Sequence, residues 1–532
     1  MSQQPYTRAL STCAICIALC FVTSCGPDHQ EDMEKIDALR ERVEKLYIAR
    51  TTMEYDSWVY GGISHLDSLY ATDSTLITVG NIRLVRRAAD AEPDSVQQKR
   101  LHYLHRHLIT EYLSLRTAGL RDEVANIESG ATLLVDGQSI PYRQIPALIA
   151  NEPSRTRRAM LAAAMNPVFD SLTTPLLRIE EINRTVAREL GFTSFNNMIG
   201  ELKGIPLDAL ARTCEEILSS TDSLYNALLR DILAHTLGLQ QKEYYSYDAA
   251  ALIRAQAFDR YFPADSVIPL VSETYGSLGI DVGNQRNLNI DSTSRPTKNP
   301  RAACFAVEVP SDIRLTIKPA GGDDDVAALL HEMGHGEHYA NTKEHAFEFR
   351  YLGEPTVTEA YAFLSEYLLD NQAWLRIHVR MPVPVLKDFI RFEAFHRLNY
   401  IRRYSAKFLY ELRLHAGEGR LPSLYAGLLS RASGWIPTPN DEKRYLVDVD
   451  DNLYSAGYLR AWFLEAQLDR KLVQDFGTNW FEDRRAGEFL RSLWAYGDRL
   501  NGDELAHLLG YSSIMPGPLL AEINSMILFS QR

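Results

Sequence analysis

His331-Glu332-Met333-Gly334-His335 is the densest concentration of reactive side chains in the sequence. On a helix, positions i and i+4 share one face, so both imidazoles can be offered to a single ion. Imidazole nitrogen suits zinc at about 2.0–2.1 Å, and a zinc that does chemistry keeps one position open for water. Glu332, beside the first imidazole, can reach that water as general base. A chance H-E-x-x-H in a chain this long is an event of about a few per cent. Two solvated histidines are therefore the weaker explanation.

A third ligand has to come from another element. Glu359 lies 24 residues after His335, on a stretch from Pro355 to Asp370 that also carries Tyr361, Phe363, Leu364 and Leu368. Those side chains predict a largely buried helix, where a carboxylate needs a positive partner. Glu366, two turns further on, returns to the same face. Glu359 is assigned as the third ligand and Glu366 as the carboxylate that orients a ligand imidazole. Ahead of the motif, Asp323, Asp324 and Asp325 mark a helix start, where negative charge is favoured.

The elements around this motif read as helix almost throughout. Between Met33 and Tyr47 the apolar set Ile36, Leu39, Val43, Leu46 and Tyr47 keeps a three-to-four spacing, one face of an amphipathic helix. The stretches 93–128, 153–190, 206–236, 386–415 and 451–475 show the same period. Strand signals are few. Ala131–Val135 before Asp136-Gly137 predicts a small hairpin, and Ala302–Val309 with Ile313–Ile317 predicts a second, joined through Pro310-Ser311-Asp312. Pro and Gly cluster over 291–322 and 417–439, which read as loops between helical blocks. The fold class expected is mainly α with one or two small sheets.

Composition agrees with a globular enzyme. The chain has 532 residues, 45% of them apolar, and 56 Lys plus Arg against 69 Asp plus Glu give a net charge of −13. That balance argues against nonspecific nucleic-acid binding, which needs surplus positive charge to displace counterions. Of the cysteines, Cys13, Cys16, Cys20 and Cys25 fall at the very start, which is no disulfide framework; Cys214 and Cys304 form one disulfide or two buried thiols.

Arg8, the apolar run Ala14–Val22 and the small residues before Cys25 describe a secretory signal peptide. Ending on Cys25, it resembles a bacterial lipoprotein signal, with Cys25 as the lipidated first residue of the mature chain. The expected organisation is a signal over 1–24, a lipid-anchored tether and first helix over 25–50, and a helical catalytic body over 51–532. Gly26 after Cys25 favours the outer membrane of a bacterial envelope over the inner one.

His331–His335 followed by Glu359 resembles the gluzincin peptidases, in particular angiotensin-converting enzyme and the thimet and oligoendopeptidase-type oligopeptidases. The 24-residue gap is that of angiotensin-converting enzyme; Glu359 with Glu366, and His338, resemble the oligopeptidases. Ala187-Arg188-Glu189-Leu190-Gly191-Phe192 looks like a segment of their helical lobe. The resemblance implies two mostly helical lobes around a deep channel, zinc at its floor and a small sheet beside the zinc helix. Ala302 and Cys304 match an edge strand that pairs with the substrate backbone. Tyr454 and Tyr458 match tyrosines that contact substrate and stabilise the oxyanion, and Arg460 matches an arginine near a chloride site.

The sequence departs from that pattern twice. The third tyrosine position holds Ala461, and Val449, Asp450 and Asp451 stand where a histidine is usual. Losing one oxyanion donor costs about 10²–10³ in rate, so Tyr454, Tyr458 or a histidine such as His396 or His415 has to compensate. The expectation is a membrane-tethered zinc peptidase for short peptides. The alternatives are a weakly active or inactive peptide-binding lipoprotein on the same scaffold, and a carboxydipeptidase. The last needs a cationic clamp, and the lysine position expected for it holds Val449 or a neighbouring acid.

Overall fold

Residues 27–62 and 66–531 are described by the computed structural model. The signal segment, with Cys25 and the three cysteines before it, lies outside the described residues. Helix makes up 73% and strand 5%, the mainly α class expected, with two small sheets. No helix among the described residues is long and apolar enough to cross a membrane.

The first helix runs from Pro27 to Tyr60, straight through the expected division at residue 50. Ile36, Leu39 and Val43 are buried along it, and Arg40 donates to the buried Glu348 at 2.5 Å. The long periodic stretches appear as helices Ser95–Gly130, Leu207–Thr236 and Val383–Ala416. The stretch 153–190 divides at Met165 into Arg155–Ala164 and Asn166–Glu189, the second entered through Pro167, whose fixed φ and missing N–H suit a first helical turn. The glycines of 417–439 mislead. Leu421–Ser433 is helical, and Gly417 and Gly434, at φ 72° and 74°, are left-handed C-caps of two successive helices.

β1 (Thr132–Val135) and β2 (Gln138–Pro141) form the first hairpin, turned by Asp136-Gly137 with both φ positive. β3 (Leu288–Asp291), β4 (Ala303–Glu308) and β5 (Asp312–Thr316) form the second sheet in the order β3-β5-β4. β4 and β5 are the expected antiparallel hairpin; β3, added parallel to β5, was not anticipated from its short polar pattern. β4 lies at the edge of this sheet.

One continuous apolar core extends from Ile36 to Ile527. Within it lie the helices that matter for the site: Asp323–Ala340, Pro355–Glu366, Val383–Ala416 and Tyr454–Phe476. The first two are pressed together at Gly334. A Cβ there would stand 2.5 Å from the Ala362 Cα and 2.5 Å from the Tyr361 carbonyl oxygen. Backbone cannot yield as a flexible side chain can, so Gly334→Ala is expected to destabilise the fold by about 1–3 kcal/mol. A thermal melt that leaves the midpoint unmoved would show the helices free to separate.

Candidate metal centre

Gly334 sets the distance between two helices, and that distance brings three ligand atoms together. The Asp323–Ala340 helix presents His331 and His335, whose rings lie 4.9 Å apart between centroids. From the Pro355–Glu366 helix, Glu359 extends Oε2 to 3.4 Å from His331 Nε2 and 3.8 Å from His335 Nε2. One ligand atom from each residue lies within 4.8 Å of the others, and no other such group of three occurs among the described residues.

The outward-facing nitrogens are already engaged. His331 Nδ1 pairs with Glu366 Oε2 at 2.7 Å, and His335 Nδ1 pairs with Thr358 Oγ1 at 2.8 Å. Each ring is thereby oriented so that Nε2 faces the common point. Glu359 is 5% exposed, and its buried Oε2 makes no hydrogen bond among the described residues, its polar neighbours being the two Nε2 atoms at 3.4 and 3.8 Å. An unsatisfied buried carboxylate oxygen costs about 1–3 kcal/mol or more. A divalent cation between Oε2 and the two Nε2 atoms would remove that cost, so the donor set fits zinc in ligand type and number.

The electrostatics of these residues point the same way. Burial pushes His335 down to about 4, keeping its imidazole neutral, the form that binds a metal. For His331, burial is outweighed by the neighbouring carboxylates of Glu359 and Glu366, which raise it well above its ordinary value. That proton is one a metal would displace. Burial pushes Glu332 up to about 7; the charge on His331 and the Cys304 backbone N–H oppose this, and the charge of Glu359 adds to it. A carboxyl held near neutrality can both take up and release a proton.

The tyrosines divide their work. Tyr454 donates its hydroxyl to Glu359 Oε1 at 2.6 Å. It fixes the carboxylate of Glu359, a contact beyond the oxyanion role expected from the sequence. Tyr458, one turn on, makes no hydrogen bond among the described residues; its ring centroid lies 4.8 Å from that of Tyr454 and 5.8 Å from that of Phe363. Glu359 and Glu332 are among the charges its phenol senses. The entry to this helix is strained. Asn452 and Leu453 both have positive φ, 52° and 51°, and Leu453 is fully buried, a cost of about 1–3 kcal/mol each. The kink sets the direction from which Tyr454 meets Glu359.

β4 brings Cys304 next to the general-base candidate: burial and then the charge of Glu332 push its thiol well up. Ala302 immediately precedes that edge strand. Cys304 and Cys214 are both free thiols. Arg460 is buried and donates to Asp503 at 2.8 Å, so its charge is answered within the chain. Ala461 is fully buried and offers no donor. His415 is packed against Phe195, its Nδ1 paired with Glu180 at 2.7 Å in the core, which rules it out as the missing histidine. Val449 packs in a satellite core, and Asp450 accepts from Lys407 at 2.6 Å.

Two residues of this centre escaped the sequence reading. Thr358 had a signal, since a ligand histidine almost always has an outer partner and the residue beside Glu359 was a natural candidate. Lys203 had none. It arrives from the Phe195–Lys203 helix, places Nζ 5.6 Å from the Tyr454 ring centroid, and donates to the Leu453 carbonyl at 3.4 Å. Burial pulls it down to about 8. No protein-family model matches the chain, and no curated protein does. Thr358→Val and Tyr454→Phe are each expected to weaken zinc affinity by about 10–100-fold. Competition with a chromophoric chelator measures it, and unchanged affinity in both would mean that neither side chain holds a ligand in place.

Proposed function

We propose that this chain is a zinc-dependent peptidase acting on short peptides. The observation that carries the reading is Glu359 Oε2, buried, without a hydrogen bond and facing two imidazole Nε2 atoms beside Glu332. His331, His335 and Glu359 would hold the zinc, which when bound supplies a Lewis acid for the peptide carbonyl and for water.

The chain's own groups handle the protons. Glu332 takes a proton from the water whose oxygen bonds to the carbonyl carbon. It then gives that proton to the amine nitrogen as the carbon–nitrogen bond breaks. Tyr458 donates its free hydroxyl to the carbonyl oxygen as that atom gains charge, so Tyr458→Phe should lower kcat by about 10²–10³. Zinc content measured on the same sample separates this from ligand loss. If kcat stays put, Tyr458 is only a packing residue.

The finer architecture belongs to the same proposal: two helical lobes around a channel, with the β4 edge aligning the substrate backbone through Ala302 and Cys304. So do the lipid anchor at Cys25 and residence in a bacterial envelope, outer membrane before inner. A second reading, removal of dipeptides from a free C-terminus, draws on Lys203, a buried amine beside Tyr454 with no ion pair among the described residues. Digestion of a peptide library, read by mass spectrometry, decides. Internal cuts support endo-cleavage and serial dipeptide loss supports the second reading. Intact peptides with zinc-loaded protein leave the inactive peptide-binding lipoprotein.

A further inference from the structure

The chain enters the Tyr454–Phe476 helix by a route that its own residues do not favour. Asn452 and Leu453 are both left-handed, and Leu453, at the N-cap, brings no side chain able to cap the first turn. Serine, threonine, aspartate or asparagine usually fills that place. A strained turn of this kind persists only where its surroundings over-determine it. What holds it has to come from other elements.

Glu411 reaches the turn from inside the molecule. It stands on the Val383–Ala416 helix, fully buried, and its two oxygens grip opposite sides of the turn. Oε1 accepts from the Asp450 backbone N–H at 2.7 Å, and Oε2 accepts from the hydroxyl of Ser455, itself fully buried. Glu411 makes no other hydrogen bond among the described residues. A buried carboxylate is costly unless hydrogen bonds answer it. Both bonds that answer this one fall on the two ends of the turn.

Three further side chains fasten the same segment. Lys407, one turn before Glu411, donates to Asp450 at 2.6 Å, and Arg121 donates to Asp451 at 2.7 and 3.0 Å. Lys203 donates to the Leu453 carbonyl at 3.4 Å. The Arg121–Asp451 pair is exposed, where an ion pair contributes little. The Lys203 bond is longer than a well-made one, and Lys407 holds only the near end. Glu411 alone ties one end to the other.

Tyr454 is caught between Leu453 and Ser455. It is the first residue of the helix, and its hydroxyl donates to Glu359 Oε1 at 2.6 Å. A bond that short tolerates little rotation of the turn that carries it.

Resting on the reading of Glu359 as a metal ligand, we infer that Glu411 is a positioning residue for the metal centre. By joining Asp450 to Ser455 it fixes the left-handed turn and seats Tyr454 on Glu359. Its effect reaches the metal through Tyr454.

The test places 3-fluorotyrosine at position 454 alone and follows its fluorine resonance in the full chain without metal. Competition with a chromophoric chelator gives zinc affinity on the same samples. In Glu411→Ala the resonance should move toward its position in Glu359→Ala, where the phenol has lost its acceptor, and zinc should bind about 10–100-fold more weakly. Glu411→Gln should restore most of both, since its amide accepts from the Asp450 N–H and donates to the Ser455 oxygen. Ser455→Ala, a change small enough to spare the fold, should shift the resonance the same way by less. Adding Tyr454→Phe to Glu411→Ala should cost no more zinc affinity than Tyr454→Phe alone, whereas a residue of merely structural effect would add a loss of its own. A resonance unmoved in both Glu411→Ala and Ser455→Ala, or losses that add in the double variant, overturns the inference. A resonance that moves in a chain taking up no zinc leaves the positioning role standing and removes only the metal.

Discussion

If the chain is the proposed zinc peptidase, Glu332→Gln is expected to lower peptide cleavage by about 10²–10⁴-fold while zinc still binds. The expectation follows from what the amide lacks. Gln has the shape of Glu but no basic oxygen, so water loses its proton acceptor and the departing amine loses its donor. Glu332 is not one of the three residues that converge on the common point, so metal content should stay near one ion per chain. Burial pushes Glu332 up, and Gln removes the cost of charging a carboxyl there. The variant should accordingly be at least as stable as the parent. Steady-state cleavage of a fluorogenic peptide with zinc analysis on the same sample reads both halves. Undiminished turnover in zinc-loaded Glu332→Gln would end the proposed mechanism.

Glu359→Ala is expected to remove the one anionic ligand of the proposed zinc site and with it the coupling between metal and stability. A ligand that binds only the folded chain stabilises it by RT ln(1 + [L]/Kd), about 4 kcal/mol at a thousandfold excess over Kd. The parent should therefore melt higher as zinc is added and lower after chelation. Glu359→Ala should show little response to either, because two imidazoles alone make a weak site. The substitution also frees Tyr454, whose hydroxyl donates to Glu359 at 2.6 Å, so the variant gains an unpaired phenol as it loses a buried carboxylate. Calorimetric melts across a zinc series make the comparison. A variant that follows the parent at every zinc concentration would place the metal elsewhere.

The sequence by itself determined the local parts of the centre. His331, Glu332 and His335 are linked by helical periodicity, a property of one segment, and Glu359 with Glu366 follows from the same rule on the next helix. Helical content and the two hairpins were legible for that reason, since each depends on neighbours within a few positions. Turn glycines were less legible, because a C-cap and a loop use the same residue: the helix Leu421–Ser433 lay hidden between Gly417 and Gly434.

Only the tertiary structure decided what meets what. That Tyr454 supports Glu359 while Tyr458 stays free depends on two left-handed residues at 452 and 453, a backbone state that side-chain types do not announce. His415 looked as available as His396 until packing sent it into the core with Glu180. Lys203 comes from a helix far away in sequence, and no spacing rule connects it to the His331–His335 motif. Periodicity acts along the chain, whereas burial, charge pairing and the close approach at Gly334 act across it.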